Sequence, residues 1–182
     1  MKIKLVMVAV LASVFIFSYA ACKEKEGTPS GGAANAGSAG GTSIAWMGYT
    51  EGMKKAAETH KPVMVDFYTV WCKYCKMLDE TTYKDPDVIK MLNNDFVPIK
   101  VNAEGDTKVE YNGKTITERD LAGEFKVTGY PTLWFFDSTG KPIAPLPGYS
   151  PPEDFKPVLT YITSGAYAKG MKFDDYLKSI KK

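Results

Sequence analysis

Two cysteines stand three residues apart in Trp71-Cys72-Lys73-Tyr74-Cys75-Lys76. That spacing suits a reversible intramolecular disulfide at the first turn of a helix. There the helix dipole and the unpaired amides stabilise a thiolate, lowering the first cysteine's pKa toward neutrality. Cys72 is therefore expected to be exposed and nucleophilic. Cys75, one turn further in, is expected to be shielded and to resolve a mixed disulfide. The same spacing also serves zinc and haem sites. Zinc takes about four ligands, and the chain offers three cysteines and one histidine, with no second cysteine pair. Covalent haem attachment wants His directly after the second cysteine, where this chain has Lys76. No metal site and no cofactor beyond the Cys72–Cys75 pair are expected.

Asp66 lies six residues before Cys72 in the apolar run Val63-Met64-Val65-Asp66-Phe67-Tyr68. Burial would penalise its charged form and raise its pKa, fitting it to take and return the proton of Cys75. The alternative is a strand-end carboxylate bonded to backbone. Far downstream, Gly129-Tyr130-Pro131-Thr132 precedes Leu133-Trp134-Phe135-Phe136. Proline opening a strand is allowed, and a cis Tyr130–Pro131 bond would turn the chain toward the thiols; a trans turn proline is the other possibility.

These residues need elements to position them. Helical spacing over Thr50 to His60 puts Met53, Ala56 and Ala57 on one face. Val63 to Tyr68 reads as a strand buried on both faces, and Cys72 to Glu80 as the helix carrying the thiols. Asp85-Pro86-Asp87 opens a helix to about Asn93, with Asp capping and Pro in the first turn. Phe96 to Val101 is a second strand. Asn112-Gly113 marks a two-residue hairpin turn within Val109 to Ile116. Thr117 caps a helix to Phe125 with Asp120 three residues on. Leu133 to Phe136 and Ile143 to Leu146 form an antiparallel hairpin around residues 137–140, and Glu153 to Thr163 is helical. Phe173, Tyr176, Leu177 and Ile180 make an apolar stripe on a last helix, expected to dock on the domain rather than on a membrane surface. The fold class is α/β: a mixed sheet flanked by helices, with an inserted hairpin and an extra C-terminal helix.

The chain has 182 residues and a formal charge of +2. That charge is too small for a surface built to meet many phosphates, so no nucleic-acid partner is expected. Lys2 and Lys4 precede Leu5 to Ala21, a run without charge. This reads as a secretory signal over residues 1–21, with an uncleaved signal anchor as the alternative. Both place the remainder outside the cytoplasm. From Gly27 to Ser43, thirteen of seventeen residues are Gly, Ala or Ser. Such a stretch cannot offset its ordering entropy, so residues 22–43 form a flexible linker spanning roughly 25 Å. Residues 44–182 then make one domain. With Lys2 and Lys4 removed, 21 basic residues balance 21 acidic ones.

Tyr19-Ala20-Ala21-Cys22 resembles the lipobox of bacterial lipoproteins, with Tyr19 where that family usually has Leu. The resemblance implies that Cys22 is a lipid anchor and the mature terminus. Cleavage after Ala20 would instead leave Cys22 a free thiol.

Val65 to Lys76, taken with Pro131-Thr132, resembles the thioredoxin superfamily. It is especially similar to periplasmic thioredoxins of the SoxW kind and to the C-terminal domain of the DsbD membrane reductase. Lys61-Pro62-Val63, Asp85-Pro86-Asp87-Val88 and Leu146-Pro147-Gly148-Tyr149 with Phe155 look like that subgroup too. The resemblance spans nearly all of Trp46 to Leu177. It implies a thioredoxin fold, catalytic Cys72 and Cys75 with Asp66, and Trp71 in a supporting role. It also implies that Pro131 is cis, that Tyr130, Pro131 and Thr132 bind the substrate, and that Lys100 sits near the buried acid. Lys73-Tyr74 departs from the Gly-Pro of thioredoxins proper, and residues 102–116 are an insertion that either shapes partner choice or decorates an edge.

Strong oxidants of this fold usually carry His between the cysteines, and this chain carries Lys73-Tyr74. A tethered, monomeric periplasmic thiol-disulfide oxidoreductase that reduces client protein disulfides is therefore expected. No nicotinamide cofactor waits outside the cytoplasm, so the resemblance implies a membrane thiol reductase of the DsbD type as electron donor. The alternatives are a disulfide oxidant or isomerase, and a non-enzymatic thiol module delivering copper.

Overall fold

The computed structural model describes residues 42–180. The expected signal peptide, Cys22 and nearly all of the linker lie outside the described residues. Among those described, no helix is long and apolar enough to cross a membrane.

The elements run α1 (Tyr49–Thr59), β1 (Val63–Tyr68), α2 (Lys73–Glu80), a 3-10 turn (Thr82–Lys84), α3 (Pro86–Asp95) and β2 (Val97–Asn102). Then follow β3 (Lys108–Tyr111), β4 (Lys114–Thr117), α4 (Glu118–Glu124), β5 (Thr132–Phe136), β6 (Pro142–Pro147), α5 (Pro152–Thr163) and α6 (Phe173–Ile180). A second 3-10 turn spans Tyr167–Lys169. The main sheet has the order β2-β1-β5-β6. β1 pairs parallel with β2 and antiparallel with β5, and β5 pairs antiparallel with β6.

β1 is buried along nearly its whole length because helices cover both faces of the sheet. Alternation divides its side chains. Val63, Val65 and Phe67 join Val97, Ile99 and Val101 in a core against α1 and α4. Met64 joins Leu133, Phe135, Leu78, Leu92 and Phe155 in a second core against α2, α3 and α5. Asp66 falls on this second face and is the one acid among the interior residues of β1.

Local signals hold the ends. Asp85 accepts from the amides of Asp87 and Val88, with Pro86 in the first turn of α3. Thr117 and Asp120 form a reciprocal capping box on α4. Asn112 and Gly113 both have positive φ, 49° and 73°, as a tight hairpin turn requires. The β3–β4 hairpin folds onto α1 through the Glu110 amide, which donates to Thr50 Oγ1 at 2.9 Å, and through Tyr111, whose ring meets that of Tyr49.

One expectation changes. Ala57 is exposed; the buried face of α1 is Tyr49, Gly52 and Ala56. The backbone of Gly52 passes so close to Ile99 that a Cβ there would overlap its side chain. The lead-in to α1 also carries structure: Met47 bridges Ile99 in parallel at the edge of β2. α6 does dock, its Phe173 and Tyr176 rings each 5.3 Å from that of Tyr161 on α5.

Candidate active site

β1 ends at Tyr68, and a short turn delivers Cys72 as the N-cap of α2. Cys72 and Cys75 form a disulfide with Cα atoms 5.3 Å apart. The Cys75 amide donates to Cys72 Sγ at 3.0 Å, so an otherwise unpaired helix N–H is aimed at the sulfur. This is the arrangement that stabilises a thiolate once the disulfide opens.

The structure corrects one expectation. In this disulfide state Cys72 is 3% exposed, no more than Cys75. Sγ is bonded to Cys75 and accepts from its amide at the first turn of α2, and the exposed groups of the site are its neighbours, Val70, Trp71 and Tyr74. The Trp71 indole is fixed from two sides: Nε1 donates to Glu104 Oε2 at 2.9 Å, and the ring packs edge-on against Tyr130 at 5.9 Å. Tyr130–Pro131 is cis. Pro131 and Thr132 are buried, with Thr132 Oγ1 donating to the Gly129 carbonyl.

Asp66 is 1% exposed. Its carboxyl is pushed up to about 7, by burial first; the Lys100 charge pulls down, the Asp79 charge pushes up, and the Tyr83 hydrogen bond pulls down. The strand-end alternative does not hold, since Asp66 sits in mid-register opposite both Lys100 and Leu133. Lys100 Nζ lies 4.0 Å from Asp66 Oδ2, yet it hydrogen-bonds Asp79 on α2. Its ammonium is ringed by Trp46, Tyr68 and Tyr83 at 5.1–5.7 Å from the ring centroids. Such faces favour a cation. The Tyr83 hydroxyl donates to Asp66 Oδ2 at 3.3 Å, whereas Asp66 Oδ1 and Thr69 Oγ1 are buried without a protein partner.

Asp79, Tyr83, Trp46 and Glu104 escaped the reading of the sequence. Asp79 had a usable signal, being one helical turn beyond Cys75 and so on the same side of α2. Glu104 follows Lys100-Val101-Asn102 at the end of β2, level with the turn after β1. Tyr83 and Trp46 reach the site only through tertiary packing. Among the described residues, no group of three or more His, Cys, Asp or Glu side chains is placed to share a metal ion.

The sequence model of the thioredoxin-like domain family matches residues 49–163, more than half of the chain. The chain belongs to that family. The thiol:disulfide interchange proteins DsbD of Campylobacter jejuni and Photorhabdus laumondii are 34% and 35% identical to it, over 106 and 85 residues. Those matches take in 57% and 47% of this chain but 17% and 13% of the relatives, so the chain corresponds to one part of each. A thioredoxin-fold protein from Helicobacter pylori superposes with a TM-score of 0.59 at 27% identity, covering 68% of this chain and 81% of that one. A thioredoxin from Thermus thermophilus gives 0.58 at 26% identity, covering 71% and 94%. Fold, family and the closed cysteine pair make this chain a disulfide oxidoreductase of the thioredoxin-like kind.

Proposed function

We propose that the chain is a tethered reductant of protein disulfides on the periplasmic side of the membrane, working through Cys72 and Cys75. The observation that carries this reading is the Cys72–Cys75 pair at the start of α2, with the buried Asp66 on the strand that leads to it.

In the reduced protein the Cys72 thiolate attacks a client disulfide. A Cys72–client bond forms, and the other client sulfur leaves as a thiolate. Asp66 then takes the Cys75 proton, the Cys75 thiolate attacks Cys72 Sγ, and the client's second sulfur departs and is protonated. Two electrons have passed to the client, and the Cys72–Cys75 bond has closed. Trp71, Tyr130, Pro131 and Thr132 border the exchange, with Tyr130 offering backbone contacts to the client segment. Lys100 supports Asp66 electrostatically. The domain works as a monomer and is recharged by a membrane thiol reductase of the DsbD type.

The tether reading rests on the leader, on Cys22 as lipid anchor, and on the Gly/Ala/Ser stretch behind it. Direction rests on the residues between the cysteines. Neither Lys73 nor Tyr74 is a histidine poised beside Cys72, and both are exposed. A buried carboxylate disfavours a persistent thiolate close by.

Equilibration with glutathione tests the direction. A potential between about −270 and −200 mV, the range of thioredoxins and glutaredoxins, is expected. A value near the about −120 mV of the strongly oxidising periplasmic catalyst would overturn the reductant reading. Labelling with a radioactive fatty acid, lost on Cys22→Ser, tests the anchor.

A further inference from the structure

The two oxygens of the Asp66 carboxyl have different surroundings. Oδ2 accepts from the Tyr83 hydroxyl and faces Lys100 at 4.0 Å, whereas Oδ1 is buried with no protein partner. A carboxyl that exchanges a proton during each turnover needs one oxygen free to receive it. It also needs the other held, so that the group does not rotate when its charge changes.

We propose that Tyr83 is a positioning residue for proton transfer: its hydroxyl anchors Oδ2 of Asp66, leaves Oδ1 as the exchanging atom, and sets the pH at which Asp66 acts on Cys75. This rests on the reading of Asp66 as the base for Cys75.

Geometry gives Tyr83 this role independently of Lys100. Tyr83 is 4% exposed, in the 3-10 turn that follows α2, and its ring is wedged between Trp46 at 5.0 Å and Phe155 at 6.4 Å. Packed edge-on against these two rings, with the Lys100 ammonium over it at 5.7 Å, the Tyr83 ring fixes where its hydroxyl points. At 3.3 Å the O–H···O contact is longer than the usual range of about 2.5–3.0 Å, and charge-assisted bonds of this kind are shorter still. The hydroxyl therefore has room to close on Oδ2 as the carboxyl ionises, which favours the ionised form. The other charged or titratable groups acting on Asp66 are Lys100 from β2 and Asp79 from α2. The partner across the sheet on β5 is the apolar Leu133. Lys100 is shared with Asp79 and leans toward it, so Tyr83 is the neutral donor committed to Asp66 among the described residues.

The test is a carboxyl-carbon NMR titration of the oxidised full chain labelled at Asp, with the Asp66 signal assigned by Asp66→Asn. In parallel, the pH dependence of client release is measured from the mixed disulfide in a single turnover. Tyr83→Phe removes one oxygen and keeps the wedged ring. It is expected to raise the Asp66 midpoint by about one pH unit, and to move the release profile upward by the same amount. Replacing Tyr83 with 3-fluorotyrosine, a stronger donor of the same shape, is expected to move both downward, and decides the matter should the Phe variant fold poorly. A midpoint that is unchanged in both variants, or moves opposite to these directions, overturns the assignment. The underlying reading has its own readout. If Asp66→Asn leaves the pH dependence of release unaltered, Asp66 is not the base and the role of Tyr83 falls with it. If Asp66→Asn abolishes that dependence while the Tyr83 variants leave it in place, only the Tyr83 assignment fails.

Discussion

The indole Nε1–H of Trp71 donates to Glu104 Oε2 at 2.9 Å, tying the residue before Cys72 to the loop that enters the inserted hairpin. Arg119 at the start of α4 holds the same loop, donating to the Glu104 carbonyl at 2.8 Å and pairing with Asp106 at 3.3 Å. The insertion is therefore connected to the face where a client would dock.

Glu104→Ala releases the indole without touching the sulfurs. The Trp71 Nε1 proton is expected to exchange with solvent about fivefold faster, as for loss of one hydrogen bond of about 1 kcal/mol. The KM for a protein disulfide should rise about twofold to fivefold while kcat stays within a factor of two. Proton exchange by NMR and steady-state kinetics check both. Equal falls in kcat and kcat/KM would place Glu104 in the chemical step instead.

Asp66 makes stability depend on pH. Its carboxyl titrates near 3.8 in an unfolded chain and about 7 in the fold. The folded state thus binds more protons between those values, and stability contributed by the protonated form is lost as pH rises from about 4 to about 7. Asp66→Asn is expected to be nearly neutral at pH 3.5. Above pH 7.5 it should stabilise the oxidised protein by on the order of 2–4 kcal/mol. Urea unfolding at the two pH values measures the difference.

Asp79 acts on Asp66 with a sign opposite to that of Tyr83. It adds a like charge and holds Lys100 to itself. Asp79→Asn removes the like charge and weakens the hold on Lys100, so Lys100 favours the ionised Asp66 more strongly. The midpoint for client release should move downward by about one pH unit. The single-turnover profile reports it directly.

Gly52→Ala tests the packing that sets β2 beside α1. A Cβ at position 52 overlaps Ile99, which is fully buried and borders Met47. Overpacking of this kind costs about 1–3 kcal/mol. Thermal denaturation should show the loss, and Ile99→Val in the same chain should recover part of it.

Much of this molecule is written locally. Asn112-Gly113, the Thr117–Asp120 capping box and Asp85-Pro86 each fix a turn or helix end within a few residues, and each stands where the sequence places it. The apolar run of β1 with one acid inside it likewise announced a buried carboxyl. What surrounds that carboxyl was hidden. Tyr83 and Trp46 meet across 37 positions of chain, and Trp71 and Glu104 across 33. Only the tertiary fold makes those contacts. Cys72 is buried where the turn after β1 meets the first turn of α2, and spacing alone does not reveal it. The exposure of Ala57 has a similar cause: the backbone of Gly52, an unremarked residue in the pattern, makes the close approach to β2.

Turnover of insulin disulfides with a small thiol as donor, comparing the native chain with Cys72→Ser, tests the central claim most directly. The account predicts rapid precipitation of the insulin B chain with the native protein, and with Cys72→Ser a rate no higher than with the small thiol alone. Equal acceleration by both proteins, or none by either, would contradict it.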